Sequence, residues 1–410
     1  MKTKAVRLYG EKDLRLEEFE LRPITEGEIL IRIISDSVCM STYKTALQGA
    51  RHLRVPDDVA QNPVIVGHEF CAEIARVGEK WKDRYRVGEK VICPPVLSYL
   101  GGMQTIGYSF GEIGGAATYA IVYEHMVENG FLLKLSSDAF FKGSLIEPAS
   151  CVTRGYKASV HQDENGNYSA GIKKGGKTAI LAGCGPMGLE AIDIGLNSGA
   201  ALLVVTDINE ERLNRAKRIF SAEKAREKGM ELLFTTASDA KTLLEMSGGT
   251  GYDDVFVYAP VPAVVELGDA VLAFDGCLNF FAGPMDKSFS APLNFYNVHY
   301  QQHHVAGTSG STVEDMKDII RLIGENKIDP SVMITHIGGI DSAIDTTLNL
   351  PGIPGGKKLV YTHLNLPMTA IADFEALGEE DPRFRVLAKL VEEHNGLWCA
   401  RAEEYLLENF

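Results

Sequence analysis

The stretch Thr178-Ala-Ile-Leu-Ala-Gly183-Cys-Gly185-Pro-Met-Gly188-Leu constrains the fold more than any other part of the chain. Residues 179–182 form an apolar run of the length of a buried parallel strand. Gly183-x-Gly185-x-x-Gly188 follows at once, with Pro186 and Met187 inside it, and Leu189, Ile192, Ile194 and Leu196 then mark an apolar helical face. In such a turn the first glycine permits the reversal, the second lets a pyrophosphate approach the backbone, and the third lets helix and strand pack closely. The free N–H groups at the helix start attract phosphates. A second apolar run, 201–205, ends in Thr206-Asp207 about twenty residues after the fingerprint, where a carboxylate would grip an adenosine ribose. The competing reading is an ordinary glycine turn with a capping Asp. Asp207 favours NAD(H), because it would accept hydrogen bonds from both ribose hydroxyls and repel a 2′-phosphate. Arg212 is placed to accommodate that phosphate if the loop folds back, which leaves NADP(H) possible.

The fingerprint opens a βα alternation. Further strands are expected at 232–234, 255–258, 278–282 and near Val305, with helices at 210–220 and 261–272 between them. This is a doubly wound parallel sheet, and Ala259-Pro260 and Phe281-Ala282-Gly283, which end later strands, should line the nicotinamide side. Upstream the pattern differs: short β-prone runs at 4–8, 14–19 and 28–34, separated by charged or glycine turns, read as a compact β-rich domain. A helix over 149–160 and a polar linker over 163–177 join the two. A helix over 315–325, a strand over 334–337 and Lys357-Lys-Leu-Val-Tyr-Thr return the chain to the first domain. Residues 382–407 read as two helices broken near Gly396, the first capped by Asp381 with Pro382 in its first turn, and should dock on the chain's own body or on a partner subunit.

Bulk properties narrow the partners. The 410 residues suffice for two cores, and a net charge of −14 without a long basic run argues against nucleic acid and anionic membrane surfaces. No apolar signal core or spanning segment is visible, and seven scattered cysteines suit a reducing cytoplasm.

The chemistry points to a metal. Cys39, Gly67-His68-Glu69 and Glu147-Pro148 precede the dinucleotide stretch. Singly, Cys39 reads as a small buried side chain, His68 as a hydrogen-bonded core histidine and Glu147 as a helix cap. Together, one thiolate, one imidazole and one or two carboxylates suit a tetrahedral Zn²⁺ with a position open for substrate. Beside a nicotinamide site, zinc would stabilise an alkoxide or polarise a carbonyl for hydride transfer.

Gly-His-Glu at 67–69, Val-Gly-Glu-Lys-Val at 87–91, Gly-Gly-Ala-Ala-Thr-Tyr-Ala at 114–120, Glu-Pro at 147–148 and the fingerprint together resemble the zinc-containing medium-chain alcohol and sorbitol dehydrogenase superfamily over nearly all of residues 1–365. The resemblance implies an α/β fold: a GroES-like β-rich catalytic domain (1–160 and 306–365) interrupted by a doubly wound Rossmann dinucleotide-binding domain (161–305), with a helical extension at 366–410. It implies Cys39, His68 and Glu147 as zinc ligands, and Glu69 as an outer-sphere residue or alternating ligand. It also implies a homodimer or homotetramer joined through the dinucleotide domains. Two departures stand out. Between Cys93 and Ala120 only Cys93 is a cysteine, too few for a four-ligand structural zinc, so a single catalytic zinc is expected. After the first ligand the chain reads Cys39-Met-Ser41-Thr42-Tyr-Lys44. Ser41 keeps the proton-passing hydroxyl, but Thr42 replaces the usual outer-sphere Asp and Lys44 the usual relay histidine. Lys44 is open to three roles: proton relay, anion ligand or solvated surface residue.

Within the superfamily, Asp275-Gly-Cys-Leu-Asn-Phe-Phe-Ala-Gly-Pro and Asn294-Phe-Tyr-Asn-Val-His-Tyr are similar to the L-sorbose-1-phosphate reductase group. That likeness implies interconversion of L-sorbose 1-phosphate and D-glucitol 6-phosphate. Arg51 and Arg54, with Lys44, are the candidates for holding the phosphate; the alternative for them is a solvated basic loop. Three rivals are an unphosphorylated-polyol dehydrogenase, a zinc-free quinone-reductase-like enzyme, and a non-catalytic dinucleotide-binding protein.

Overall fold

A computed structural model describes all 410 residues. The chain divides into two units, Met1–Glu147 with Thr312–Phe410, and Pro148–Ser311.

The first unit is built on two sheets. Lys2–Gly10 pairs antiparallel with Asp13–Glu20 and with Val64–Ile65. In the larger, eight-stranded sheet, Ile29–Ser37 is the hub. It pairs antiparallel with Phe70–Val77, Tyr119–Val122 and Lys357–Tyr361. Its alternate residues Ile29, Ile31 and Ile33 are fully buried together with Ala72, Val91, Ala120 and Val122, as expected when one face of a strand carries the core. The two sheets are joined where Val6 N–H donates to the Ala116 carbonyl and Thr118 N–H to that of Lys4.

Register positions the chemistry. The hub strand ends at Ser37, and Cys39 is the N-cap of the next helix, Met40–Gln48. Gly67-His68-Glu69 immediately precedes Phe70–Val77, whose first residue lies opposite Asp36. Antiparallel pairing therefore brings the end of one strand to the start of the other, and Cys39 to His68. Ser37 N–H donates to the Glu69 carbonyl, which locks this junction. Lys357 opens the strand on the hub's other side, with Val38 N–H donating to the Lys358 carbonyl.

The C-terminal residues fold onto the same unit. Helices Pro382–Glu393 and Ala400–Asn409 flank Gly396, which takes φ +77°. Asp381 caps the first by accepting from Arg383 N–H. Trp398 is fully buried against Tyr361 and Phe374. Its indole N–H donates to Tyr361 Oη at 2.7 Å, and that hydroxyl donates to Glu403 Oε1 at 2.9 Å. Glu403 also accepts from the backbone N–H groups of Phe140 and Phe141.

The second unit is a six-stranded parallel sheet. In space its order runs Glu231–Thr235, Leu202–Thr206, Lys177–Leu181, Tyr252–Val257, Leu272–Phe280 and His304–Gly307. Order reverses beside Lys177–Leu181, the strand that leads into the glycine loop, which is the position where doubly wound sheets bind ligands. Ala179, Leu181, Val204, Val255, Val257 and Leu278 fill the core on one face.

One expectation fails here. The polar linker over 163–177 carries the turn and second strand of an antiparallel hairpin, with Val160–Gln162 paired to Tyr168–Ala170. Each strand has three residues and the second is wholly exposed, so no hydrophobic alternation announces it. A turn sets its register instead: Asp163 Oδ1 accepts from Asn165 and Asn167 N–H, and Gly166 takes φ +79°. The helix expected over 149–160 spans Ile146–Ala158, which puts Glu147 and Pro148 in its first turn, where proline's missing N–H costs nothing.

Candidate zinc and dinucleotide sites

In the first unit the ligand atoms of Cys39, His68 and Glu69 lie within 4.8 Å of one another. Ser41 Oγ donates to Cys39 Sγ at 3.0 Å and sits 3.2 Å from His68 Nε2. His68 Nδ1 points the other way, 3.5 Å from Thr42 Oγ1. Nε2 is thus the nitrogen that shares the pocket with the thiol. Burial pushes the Cys39 thiol up to about 12, helped by Glu69 and Glu147 and opposed by Lys357 and Ser41. A neutral thiol is a poor metal ligand, and a bound cation reverses that balance. The donors therefore fit a soft or borderline cation such as Zn²⁺.

Both oxygens of Glu69 lie 2.6 Å from Lys357 Nζ, and both side chains are buried. Burial alone would lower the Lys357 ammonium, but Glu69, Cys39 and Glu147 together hold it above its ordinary value. Glu147 thus acts electrostatically on both Cys39 and Lys357.

Tyr108 forms the wall beside these groups. It is 5% exposed, and its ring centroid lies 5.3 Å from that of His68 and 5.3 Å from that of His52. The Arg54 guanidinium lies 5.9 Å from the Tyr108 ring. Burial and the charge on Cys39 raise the Tyr108 phenol, while a hydrogen bond with Ser41 lowers it. One side chain, that of Tyr108, therefore stands between Arg54 and His68. Arg51 instead reaches Glu11, Nε to Oε1 at 2.5 Å, and is 70% exposed. Lys44 lies partly exposed on the helix that follows Cys39.

In the second unit Gly185 is the N-cap of helix Pro186–Gly195, with Pro186 at its first position. A Cβ on Gly188 would sit 2.2 Å from the Gly183 carbonyl oxygen, so only glycine fits that approach. Gly183 N–H donates to the Thr206 carbonyl at 2.8 Å. Asp207, 6% exposed, accepts from Cys184 N–H through Oδ2 at 3.1 Å and from Asn209 N–H through Oδ1 at 2.9 Å. This carboxylate ties the glycine loop to the end of the strand beside it. Arg212, in helix Glu210–Ile219, exerts its charge on Cys184. Phe281 and Ala282 N–H groups both donate to the Val257 carbonyl, and the Phe281 ring lies tilted by 30° against that of Tyr258, centroids 4.6 Å apart. Ala259 accepts from Val261 N–H beside Pro260, and Gly283 follows Ala282 at the end of the adjacent strand.

Sequence reasoning did not assign roles to Lys357, Tyr108 or Asp36. Two lysines open the strand Lys357–Tyr361, and the partner of the first, Glu69, is 288 residues away.

A GroES-like fold with a Cys–His–Glu cluster and a parallel dinucleotide sheet define a zinc-dependent oxidoreductase. Residues 25–130 match the family description "Alcohol dehydrogenase GroES-like domain" and residues 186–325 match "Zinc-binding dehydrogenase". The chain is 44% identical to L-sorbose 1-phosphate reductase of Klebsiella pneumoniae over 408 residues, covering 99% of this chain and 97% of that one. It is likewise 44% identical to mannitol-1-phosphate 5-dehydrogenase of Aliivibrio fischeri over 413 residues, covering 99% and 97%. The crystal structure of 2R,3R-butanediol dehydrogenase from Bacillus subtilis superposes with a TM-score of 0.71 at 23% identity, covering 88% of this chain and all of that one, and shows the shared fold. The chain belongs to the zinc-containing medium-chain dehydrogenases, the alcohol and sorbitol dehydrogenase superfamily. No helix is long and apolar enough to cross a membrane.

Proposed function

We propose that this chain interconverts a ketose phosphate and a hexitol phosphate with a nicotinamide cofactor, and that its substrate pair is L-sorbose 1-phosphate and D-glucitol 6-phosphate. The observation that carries this reading is the end-to-end likeness to two relatives whose names both specify sugar or polyol phosphates. Arg54, held over Tyr108 next to His68, supports it by offering a fixed cation near the proposed zinc site.

Cys39, His68 and Glu147 would hold one zinc, with Glu69 as an alternating partner, and no structural zinc is proposed. When bound, the zinc supplies Lewis acidity at the reacting oxygen, and the nicotinamide carries the hydride. Ser41 Oγ holds the substrate's hydroxyl proton and passes it outward, with Lys44 or solvent as acceptor. Arg54 pairs with the phosphate bidentately, and Lys44 adds a point charge. Arg51, already paired with Glu11, contributes less. Lys357 neutralises Glu69 while that carboxylate is off the metal.

On the dinucleotide side the N–H groups at Gly185–Gly188 receive the pyrophosphate and Asp207 the adenosine ribose, which favours NAD(H) over NADP(H). Ala259, Pro260, Phe281, Ala282 and Gly283 line the nicotinamide side. Two or four copies assemble through this unit, whose edge strand His304–Gly307 leaves Val305 half exposed and whose preceding helix exposes Phe295, Tyr296 and Tyr300. Seven free cysteines fit a cytoplasmic enzyme.

The test is kcat/KM for L-sorbose 1-phosphate beside L-sorbose, with NADH and NADPH, in the wild type and in Arg54→Ala. One lost phosphate contact is worth about 1.5–3 kcal/mol, so Arg54→Ala should raise KM for the phosphorylated ketose about ten- to a hundredfold. KM for an uncharged polyol should hardly move. Equal turnover of the unphosphorylated sugar would make the chain a polyol dehydrogenase, and equal kcat/KM with NADPH would remove Asp207 as the selector.

A further inference from the structure

Asp36 is a buried acid that none of the roles above uses. It is 3% exposed and sits next to last in the hub strand Ile29–Ser37. Two glycines make room for its carboxylate. A Cβ on Gly67 would lie 2.3 Å from Oδ2, and one on Gly115 would lie 2.1 Å from Oδ1. Despite this close fit, Oδ1 has no hydrogen-bond partner among the protein atoms. An unmatched buried carboxylate oxygen is costly, so the site calls for a donor.

A small cavity lies beside it. Asp36, Thr42 and Thr347 supply its polar walls, and valines, alanines and Gly67 the rest. It leaves about 10 Å³ for the centre of a water molecule, which is about the space one buried water needs. Thr42 and Thr347 are both buried, so three polar side chains meet around a one-water space. Thr42 is also the residue whose hydroxyl faces His68 Nδ1, at a long 3.5 Å.

A metal-bound histidine almost always donates its outer N–H to a carboxylate, a carbonyl or a water, which fixes the tautomer and raises the basicity of the ligating nitrogen. The residue at 42 offers only a hydroxyl. We propose that Asp36 is the remote carboxylate partner of His68, acting through one buried water and the Thr42 hydroxyl. This rests on the assignment of His68 as a zinc ligand. His68 Nδ1–H donates to Thr42 Oγ1, the Thr42 hydroxyl donates to the water, and the water donates to Asp36 Oδ1, with Thr347 as its further contact. Each donor–acceptor step polarises the next. Asp36 is a positioning residue on this account, since it touches neither substrate nor cofactor. The competing role is charge balance beside Glu69 and Lys357: burial first, then the charge on Glu69, raise the Asp36 carboxyl well above its ordinary range, while the Glu69 N–H and Lys357 lower it. Charge balance has no need of Thr42.

The experiment measures zinc affinity of the full-length protein by competition with a chromophoric chelator, alongside the visible absorption of the Co²⁺-substituted protein. Asp36→Asn and Thr42→Val should each weaken zinc binding about 10–100-fold, the usual effect of losing an outer partner. The double variant should be no weaker than the singles, because both remove one chain. In the Asp36→Asn background, Thr42→Asp should restore affinity and the wild-type Co²⁺ spectrum, by placing a carboxylate directly at His68 Nδ1. A structural role for Asp36, independent of Thr42, gives additive losses in the double variant instead. Wild-type affinity in Asp36→Asn, or no rescue by Thr42→Asp, overturns the proposal while leaving the ligand assignment intact. If Asp36→Asn fails to fold, wild-type affinity in Thr42→Val overturns it just as well. A wild-type chain that takes up no zinc overturns the ligand assignment itself.

Discussion

Replacing Lys357 by methionine tests whether the Glu69–Lys357 pair holds the zinc pocket together. The two side chains are 1% and 8% exposed, and both Glu69 oxygens lie 2.6 Å from Nζ. Methionine fills similar volume without charge, so Lys357→Met removes the cation and leaves the carboxylate buried. Breaking a buried pair from one side costs about 3–5 kcal/mol, most of it the isolated charge. Removing both charges avoids that cost, so the double variant Glu69→Gln/Lys357→Met should recover most of the loss. In a unit of this size 1 kcal/mol moves Tm by about 2–4 °C, so the single variant should melt at least about 6 °C below the wild type in metal-free buffer. Zinc should then raise the melting temperature of Lys357→Met more than that of the wild type, because the freed Glu69 gains a new cation. The assay is differential scanning calorimetry of the four proteins of the cycle, with and without equimolar zinc. If Lys357→Met melts with the wild type, or the double variant melts below both singles, the pair does not stabilise the site and the electrostatic account of the pocket is wrong.

Three further outcomes follow from the structure. Truncation after Leu366 removes Trp398 and Glu403, so it should destabilise the first unit by more than the roughly 3–5 kcal/mol of a buried Trp→Ala change; urea unfolding identical to the full chain would refute docking. Burial pushes the Glu403 carboxyl up to about 7. The native state then keeps a proton that the unfolded chain has lost, so this group should cost about 3 kcal/mol of stability as pH rises from about 4.5 to 7, a slope that Glu403→Gln should abolish in pH-dependent unfolding. His161 Nε2 lies 3.0 Å from Asp254 Oδ1 and its Nδ1 3.0 Å from the Asp275 carbonyl, so only the imidazolium can donate at both. Its pKa is raised by Asp254 and Asp275 against the lowering effect of burial, and the stabilisation is full below about 6.5 and lost as pH rises through the folded value; an NMR titration of His161 with a midpoint at or below 6.5 would contradict this.

What the sequence by itself determined is local. The glycine loop, the strand before it and the Asp after it depend on backbone sterics and short-range spacing, so Gly183, Gly185, Gly188 and Asp207 could be named before any coordinates, and the parallel sheet followed from the alternating pattern. Cys39 and His68 were legible because residue type and motif order survive in one dimension; the fold draws them together with Glu69, read along the chain as an outer-sphere or alternating group, rather than in a trio with Glu147. The hairpin at 160–170 was not legible, since a six-residue pairing held by an Asp-anchored turn has no periodicity to read. The partners of the site were hidden for another reason. Lys357 reaches Glu69 only because its strand pairs with the hub strand from the side opposite Phe70–Val77. Tyr108 reaches His68 through a loop whose own sequence carries no register. Asp36 faces Thr42 across a cavity that exists only after the hub strand, the following helix and the helix carrying Thr347 have packed. Ligand types are chemical and can be read along the chain; the groups that set their charge and orientation are chosen by long-range strand pairing, which tertiary structure alone decides.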